Sequence, residues 1–253
     1  PAGNVSTASA SETITIDTTA PTISSIAVAS NNTNASLAKE GNEITFKVGF
    51  SKAVTLSNKD NVKVPFTIGA SGMLAGTSKT AVAQSNNTST IGETANAIEF
   101  KYTVEAALTG AVALDGINLQ LNSETVRDEA GNDLTPLTMN NFSGTVTVDT
   151  TKPNAPTINP FTAPTNNTTP TITGTGVNGD TITLFDNGNS ISDTATVTSN
   201  NTWSITLTSA LSHGDHPITA KATDPTGNVS DASAPQTITI DTTAPTISSI
   251  AVA

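Results

Sequence analysis

Two acidic motifs recur along this chain, and they carry the residue types best suited to chemistry. The motif Asp-Thr-Thr-Xaa-Pro begins at Asp17, Asp149 and Asp241. The motif Asp-Xaa-Xaa-Gly-Asn runs from Asp128 to Asn132 and again from Asp224 to Asn228. Carboxylate and amide oxygens are the ligands that Ca²⁺ takes, six to eight at a time. The recurrence therefore indicates a cation site that is repeated along the chain.

The motifs lie within a larger internal repeat. The residues ITIDTTAPTISSIAVA occupy 14–29 and recur identically at 238–253, and a degenerate copy lies at 147–153. Repetition on this scale predicts tandem modules. We predict the last strand of a preceding module at 1–16, a long module at 17–148 with an insertion near 58–96, a short module at 149–240, and the first strand of a further module at 241–253.

The elements that must position the motifs are β-strands. Apolar and polar residues alternate in Thr13–Ile16, Thr145–Val148 and Thr237–Ile240, a pattern typical of half-buried strands, and Glu43–Phe50 is a further predicted strand. The turn signals Asp115-Gly116, Asn178-Gly179 and Asn187-Gly188 separate the alternating runs. Trp203 lies inside one such run and is predicted to anchor a core. Short strands between turns predict sandwiches of about 100 residues, so the fold class is all-β, with tandem immunoglobulin-like β-sandwich modules arranged end to end.

The topology of such a sandwich brings the second set of motif residues together. The loop before the last strand lies at the pole where the preceding linker arrives, so Asp224 and Asn228 face the linker that carries Asp149. The loop that holds Asp180 lies at the same pole. Because clustered carboxylates repel one another unless a cation lies between them, these four residues predict a Ca²⁺ site.

The same reasoning places a second Ca²⁺ site around the first linker, with Asp17, Asp128 and Asn132 as ligands. Asp241 is predicted to serve a further site with the next module. Asp and Asn are also ordinary turn residues, and Gly-Asn favours tight turns. The residues alone leave both interpretations open, and the recurrence of both motifs favours metal.

Composition narrows the classes of function. The chain has 253 residues, with 21 acidic and 10 basic side chains and a formal net charge of −11. An acidic surface repels phosphate backbones, so nucleic acid is excluded as a partner. No apolar run is long enough to span a membrane. The chain has no cysteine, so no disulfide stabilises it.

An enzyme is the first rival interpretation. Its best signal is His213-Gly-Asp-His216, a spacing that metal sites also use. The alternative is a polar turn that enters a strand, which we favour because no second histidine cluster, cysteine nucleophile or phosphate-binding glycine loop accompanies it. The sequence therefore predicts that the protein is not an enzyme.

Longer stretches resemble a known family. The second module, with Thr169-Pro-Thr-Ile-Thr-Gly-Thr, Trp203-Ser-Ile and His216-Pro-Ile-Thr-Ala-Lys-Ala-Thr-Asp224, resembles the bacterial immunoglobulin-like repeats of giant surface adhesins of the biofilm-associated and RTX-adhesin type. The first module, with Val126-Arg-Asp-Glu-Ala-Gly-Asn132, looks like a longer repeat from the same proteins. One departure is Lys52, which stands where the family often has Glu. If that Glu binds calcium, the first site lacks one ligand.

The resemblance implies secretion and display on the bacterial cell surface. It predicts a structural extender segment of a large adhesin, in which Ca²⁺ rigidifies the module junctions for adhesion or biofilm formation. The expected partners are neighbouring modules of the same chain, and a host or matrix surface contacted through other domains, with the segment itself monomeric. The alternative is a ligand-binding adhesin module that recognises protein or glycan through the 58–96 insertion.

Overall fold

The computed structural model describes residues 12–69, 77–85, 89–91, 94–114, 118–139, 142–161 and 164–248. The described residues form strands and turns without any helix, which confirms the all-β prediction. No helix long and apolar enough to cross a bilayer therefore occurs in this part of the chain. The Asp-Gly turn signal at 115–116 and the ends of the two predicted partial modules, 1–11 and 249–253, lie outside the described residues.

The strands in chain order are β1 (Ile23–Ser30), β2 (Leu37–Ala38), β3 (Glu43–Phe50), β4 (Thr55–Leu56), β5 (Lys63–Ile68), β6 (Thr77–Ala83), β7 (Ser89–Ile91), β8 (Thr94–Thr103), β9 (Thr109–Ala113), β10 (Val126–Arg127), β11 (Phe142–Ser143), β12 (Thr147–Asp149), β13 (Thr157–Ile158), β14 (Thr171–Thr175), β15 (Thr181–Asp186), β16 (Asn189–Thr196), β17 (Thr202–Thr206), β18 (Gly214–Thr223) and β19 (Gln236–Ile240). The chain divides into two compact units. Unit 1 comprises 1–30, 43–103 and 111–146, and unit 2 comprises 31–42, 104–110 and 147–253. The module boundaries read from the repeats stay a prediction.

Unit 1 is organised around strand β3. This strand pairs antiparallel with β1 on one side and with β8 on the other, and the sheet continues through β6 and β5. A short pair, β4 with β10, lies outside that sheet. The buried side chains of Phe46, Phe66 and Phe100 form the centre of the core, and the rings of Phe46 and Phe66 lie 4.8 Å apart. Aromatic burial of this kind supplies much of the stability of a small core.

The segment 58–96, predicted as the place of an insertion, contains strands that the sequence patterns did not reveal. Strand β5 pairs with β6 and β9, and its residues Val64, Phe66 and Ile68 are buried. Pro65 lies in the middle of β5, and a proline normally argues against an inner strand because it cannot donate to the ladder. Part of the predicted insertion is therefore a component of the unit 1 core.

Unit 2 contains two sheets, with strand orders β13-β14-β17 and β16-β15-β18-β19. Their buried side chains form one core, to which Ile172 and Trp203 contribute from one sheet and Ile182 and Ile218 from the other. A core shared between two facing sheets is a β-sandwich. The predicted anchor Trp203 is confirmed, because it is 2% exposed and its Nε1 donates to the carbonyl of Thr175 at 3.1 Å.

Identical sequences take different states in the two ends of the described chain. Ile238 and Ile240 are buried in β19, which pairs with β18. Their counterparts in the repeat, Ile14 and Ile16, are 86% and 82% exposed and lie in no strand. The strand pattern at Thr13–Ile16 is thus not realised among the described residues, because a strand forms only where a partner strand accepts its hydrogen bonds. Its assignment to a preceding module stays a prediction.

Candidate cation-binding clusters

The second cluster consists of Asp149, Asp180, Asp224 and Asn228, all of them in unit 2. Its frame is the turn that follows β18, where the backbone amides of Gly227 and Asn228 donate to Asp224 Oδ1 at 2.7 and 2.9 Å. Gly227 has a φ of 94°, a conformation that favours glycine. The spacing Asp-Xaa-Xaa-Gly-Asn therefore folds into a turn that fixes the carboxylate of Asp224.

Asn228 connects this turn to the linker residue Asp149. Its Nδ2 donates to the carbonyl oxygen of Asp149 at 2.8 Å and to Asp224 Oδ2 at 2.9 Å. The carboxylate of Asp149 in turn accepts from the backbone amide of Thr151 at 2.9 Å. The structure thus brings Asp149, Asp224 and Asn228 together as predicted, although Asn228 does so as a hydrogen-bond donor.

Asp180 is the unusual member of the second cluster. It lies in the loop between β14 and β15 and is 2% exposed, and its Oδ2 has no hydrogen-bond partner. Burial raises the pKa of Asp180, and the nearby charge of Asp224 raises it further. An ionised carboxylate that is buried without a partner is unfavourable by several kcal/mol. The site therefore favours either a proton on Asp180 or a cation beside it.

The first cluster consists of Asp17, Lys52, Asp128 and Asn132, all of them in unit 1, and it has the same frame. The backbone amide of Asn132 donates to Asp128 Oδ1 at 2.9 Å. Its Nδ2 donates to the carbonyl oxygen of Asp17 at 3.0 Å and to Asp128 Oδ2 at 3.0 Å. The predicted grouping of Asp17, Asp128 and Asn132 is therefore present.

Lys52 adds a cation to the first cluster that was not predicted as a site residue. Its Nζ lies 2.8 Å from Asp17 Oδ2 and 3.1 Å from Asp128 Oδ2, and it donates to the carbonyl of Thr19 at 2.6 Å. The only signal in the sequence was the Lys in place of a family Glu. Because an ammonium supplies three hydrogen-bond donors, a lysine near two acidic motifs can bind their carboxylates.

These contacts lower the pKa values of the carboxylates in the first cluster, whereas the pKa of Asp180 is raised. Hydrogen bonds from the Asn132 side chain lower the pKa of Asp128 to about 2 despite its burial, and Lys52 contributes. The hydrogen bond from Lys52 lowers the pKa of Asp17, and the same bond raises the pKa of Lys52. The first cluster therefore keeps its carboxylates ionised by partners within the chain.

Residues 160–242 match the family model described as "Bacterial Ig-like domain". This segment is similar to a bacterial Ig-like domain. The match covers most of unit 2 and confirms the resemblance to bacterial immunoglobulin-like modules that the sequence carried. Within this Ig-like domain lie Asp180, Asp224 and Asn228, whereas Asp149 precedes it in the linker.

Solved structures give further likenesses. The "Biofilm associated protein - BSP domain" is 19% identical over 88% of this chain and 30% of its own, with a TM-score of 0.30. The "tetra-tandem repeat in extending region of large adhesion protein" is 19% identical over 88% of this chain and 50% of its own, also with a TM-score of 0.30. The Clostridium thermocellum CbhA fibronectin(III)-like modules are 19% identical over 84% of this chain and 93% of their own, with a TM-score of 0.35.

This chain therefore spans under a third of the biofilm-associated chain and half of the large adhesion protein chain. No curated protein sequence matches it.

The histidines of the Ig-like domain do not form the His-Xaa-Xaa-His site weighed above. His216 Nδ1 lies 2.7 Å from Asp186 Oδ2, and its Nε2 lies 3.0 Å from the carbonyl oxygen of Ser212. The Ser212 hydroxyl is farther away, at 3.5 Å. With its Nε2 proton directed at a carbonyl, His216 has no lone pair with which to activate that hydroxyl. Asp186, His216 and Ser212 thus form a hydrogen-bond network in which His216 is buried and Ser212 is exposed.

Asp241, the last predicted ligand, follows β19 at the end of the Ig-like domain. Its Oδ1 accepts from the amide of Thr243 at 2.9 Å and lies 3.7 Å from His213 Nδ1. The hydrogen bonds from Thr243 lower the pKa of Asp241. Across the described residues, no three acidic, histidine or cysteine side chains converge in the manner of a metal centre. A cation at either cluster would therefore take amide, carbonyl or water oxygens in addition to carboxylates.

Proposed function

We propose that the chain is a structural extender segment of a large bacterial cell-surface adhesin, and that its second cluster binds Ca²⁺. The family match at 160–242 supports a role as a bacterial Ig-like module. The repeat of identical residues at 14–29 and 238–253 supports an array of such modules. Modules of this shape add length without needing an active site, and the expected setting is the outer surface of a bacterium.

The observation that carries the calcium proposal is the buried carboxylate of Asp180. Its Oδ2 lacks a hydrogen-bond partner, and the charge of Asp224 acts on it. Both features are unfavourable for a protein alone and become favourable when a hard cation lies between the two carboxylates. A carboxylate whose oxygens were all satisfied by local turn hydrogen bonds would not leave a buried oxygen without a partner in this way.

The residues that would hold the ion follow from this arrangement. The carboxylates of Asp180 and Asp224 supply the negative charge, and Asp149 contributes from the linker that Asn228 holds close. Carbonyl and water oxygens complete the six to eight ligands that Ca²⁺ requires. Bound Ca²⁺ would neutralise the carboxylates and connect the linker to the domain, which restricts the bending that Pro153 already limits.

The expected strength is modest. Extracellular modules bind Ca²⁺ with a Kd on the order of 10⁻⁴–10⁻³ M. At a free concentration ten times the Kd, binding adds about 1.4 kcal/mol to the free energy of unfolding. This is enough to hold a linker in place and small beside the stability of a whole domain.

Calorimetric titration with Ca²⁺ tests the site. The wild-type chain should bind with a Kd in the range given above, and Asp180→Asn should lose that binding. Asp231→Asn is the matched control, because it removes the same charge from a side chain of unit 2 that is 90% exposed. Absence of binding in the wild-type chain, or equal binding in both variants, would contradict the site.

Small-angle X-ray scattering tests the extender role. The wild-type chain in Ca²⁺ should give a longer maximum dimension and a narrower spread of shapes than in chelator, and Asp180→Asn should give the chelator profile in both. Calcium binding without any change of shape would leave the site but contradict its role in stiffening.

A further inference from the structure

Lys52 lies where a bound cation would be needed in the first cluster. Its ammonium contacts one carboxylate oxygen of Asp17 and one of Asp128, and it also contacts the carbonyl of Thr19. These are two carboxylates and one carbonyl, the same kinds of oxygen that coordinate a hard cation. Three short contacts also match the three donors of an ammonium group.

Burial makes these contacts more than an ordinary surface ion pair. The side chain of Asp128 is 3% exposed, and that of Lys52 is 27% exposed. An exposed pair contributes little because water screens both charges, whereas breaking a buried pair leaves an uncompensated charge. The first cluster therefore depends on Lys52 for neutralising Asp128.

Among the described residues, no lysine is seen to pair with the carboxylates of the second cluster, and the ammonium of Lys39 donates instead to the carbonyl of Gly227 at 2.7 Å. Strand pairing aligns Thr55 with Arg127, the residue before Asp128, and Thr181 with Thr223, the residue before Asp224. The loop that leads to Thr55 carries Lys52, and the loop that leads to Thr181 carries Asp180. One loop thus brings a positive charge to the frame, and the other brings a third negative charge.

We propose that Lys52 is the resident cation of the first cluster, so that this cluster is closed by the chain itself and does not respond to Ca²⁺. The contrast with the second cluster rests on the function proposed above, but the closure by Lys52 does not. The consequence is a chain with one linker that is fixed at all calcium concentrations and one that is fixed only when calcium is present.

Amide hydrogen exchange at Thr19 and Asn132, resolved by NMR, tests this directly. Both amides donate to carboxylates of the first cluster, Thr19 to Asp17 and Asn132 to Asp128. In the wild-type chain, their exchange rates should be the same in chelator and in millimolar Ca²⁺. A slowing of either amide by Ca²⁺ in the wild-type chain would overturn the proposal without the need for any variant.

The variant Lys52→Met keeps the aliphatic stem and removes the ammonium. In chelator, both amides should exchange at least roughly fivefold faster than in the wild-type chain, because loss of the ammonium leaves the buried charge of Asp128 uncompensated. Millimolar Ca²⁺ should reverse most of this, because the vacated position offers the same oxygens to a metal. Lys59→Met is the matched control, since it removes an ammonium 2.7 Å from the exposed Asp60 and should leave both rates unchanged.

An unchanged rate in Lys52→Met, or an increase that Ca²⁺ does not reverse, would overturn the proposal. These readouts belong to unit 1, whereas the calcium titration above depends on Asp180 in unit 2. If Asp180→Asn binds Ca²⁺ like the wild-type chain, the proposed second site fails while the role of Lys52 stands.

Discussion

The two acidic clusters have the same frame but differ in their charged side chains, because only the first contains a lysine paired with its carboxylates. In each, an Asn side chain joins the carbonyl of a linker Asp to the carboxylate of a turn Asp, at 3.0 and 3.0 Å in the first cluster and 2.8 and 2.9 Å in the second. The linker Asp also accepts from the amide two residues later in both, at 2.9 Å. The motif thus dictates the frame and leaves its charge to other residues.

The difference comes from one loop. The residue before Thr55 is Val54, which is buried and neutral, and the ammonium of Lys52 reaches the carboxylates from two residues earlier. The residue before Thr181 is Asp180, which is equally buried and carries an acid. Two differences between these loops, Asp180 in place of Val54 and the absence of a lysine from 176–180, leave the second cluster with a buried carboxylate that needs a proton or a cation.

The largest expected effect comes from a glycine substitution and differs between the two units. Gly174 and Gly49 each precede the last residue of a strand, and the loop after that strand carries Asp180 in one case and Lys52 in the other. A Cβ at Gly174 in β14 would overlap the Thr157 carbonyl and lie 2.5 Å from the Trp203 ring, whereas one at Gly49 in β3 would lie 2.5 Å from the Ser25 hydroxyl, which can rotate away. Gly174→Ala should lower the free energy of unfolding by about 3 kcal/mol, and Gly49→Ala by about 1 kcal/mol. Denaturant unfolding followed by Trp203 fluorescence and by NMR signals of unit 1 measures both. Equal losses would mean that both the backbone at Thr157 and the ring of Trp203 move aside.

Much of this frame could be predicted from local sequence. The turn of Asn187 and Gly188 joins β15 to β16 with φ values of 49° and 81°, as the Asn-Gly pair predicts. The strand at Glu43–Phe50 and the burial of Trp203 also follow from alternation. The grouping of Asp224 with Asn228 follows from the motif. In each case neighbours along the chain determine the structure.

What could not be predicted depends on partners distant in sequence. Lys52 pairs with Asp128 across 76 positions, and no local pattern specifies which oxygen a long side chain reaches. The burial of Asp180 depends on how two sheets meet, and Ile14 differs from Ile238 only in the strand available to pair with it. Strand β5 was missed because Pro65 argues locally against a strand that tertiary pairing nevertheless stabilises.

The next prediction concerns the pH dependence of stability, which should run in opposite directions for the two buried carboxylates, Asp180 and Asp128. Because the folded-state pKa of Asp180 is raised, the folded chain holds its proton more tightly, so stability in chelator should fall as pH rises from the ordinary Asp range through the raised pKa. Asp128 has its pKa lowered to about 2, so its contribution is present above the ordinary Asp range and should be lost as pH falls toward 2.

Carboxyl titrations by NMR give the two midpoints, and unfolding of Asp180→Asn in chelator gives the size of the effect. That variant should gain about 2 kcal/mol at neutral pH, because it removes a buried charge without a partner. Asp231→Asn serves again as the control and should keep the stability of the wild-type chain. Midpoints on the same side of the ordinary Asp value would remove the distinction between the clusters.

A smaller response confined to unit 2 is expected near neutral pH, since both histidines lie there. Burial lowers the pKa of His216, but acceptors at Asp186 and Ser212 outweigh it, and the pKa is raised overall. This stabilisation should be complete below about pH 6.5 and lost as pH rises through the raised value. His216→Gln should remove the pH dependence and about 1.5 kcal/mol at acidic pH. His213→Gln should keep it, and a flat wild-type profile would contradict the doubly protonated ring.

The smallest expected effect tests whether Arg127 takes part with Lys52 in neutralising Asp128. Arg127 precedes Asp128 and bonds Asp133 at 2.6 Å, but its side chain and that of Asp133 are 51% and 65% exposed. Arg127→Thr introduces the residue that unit 2 has at the aligned position, Thr223, and Thr suits a strand. Because exposed pairs contribute little, the free energy of unfolding of unit 1 should change by less than about 0.5 kcal/mol. A loss above about 1.5 kcal/mol would mean that Arg127 shares the task of neutralising Asp128, and that the contrast between the clusters does not depend on Lys52 alone.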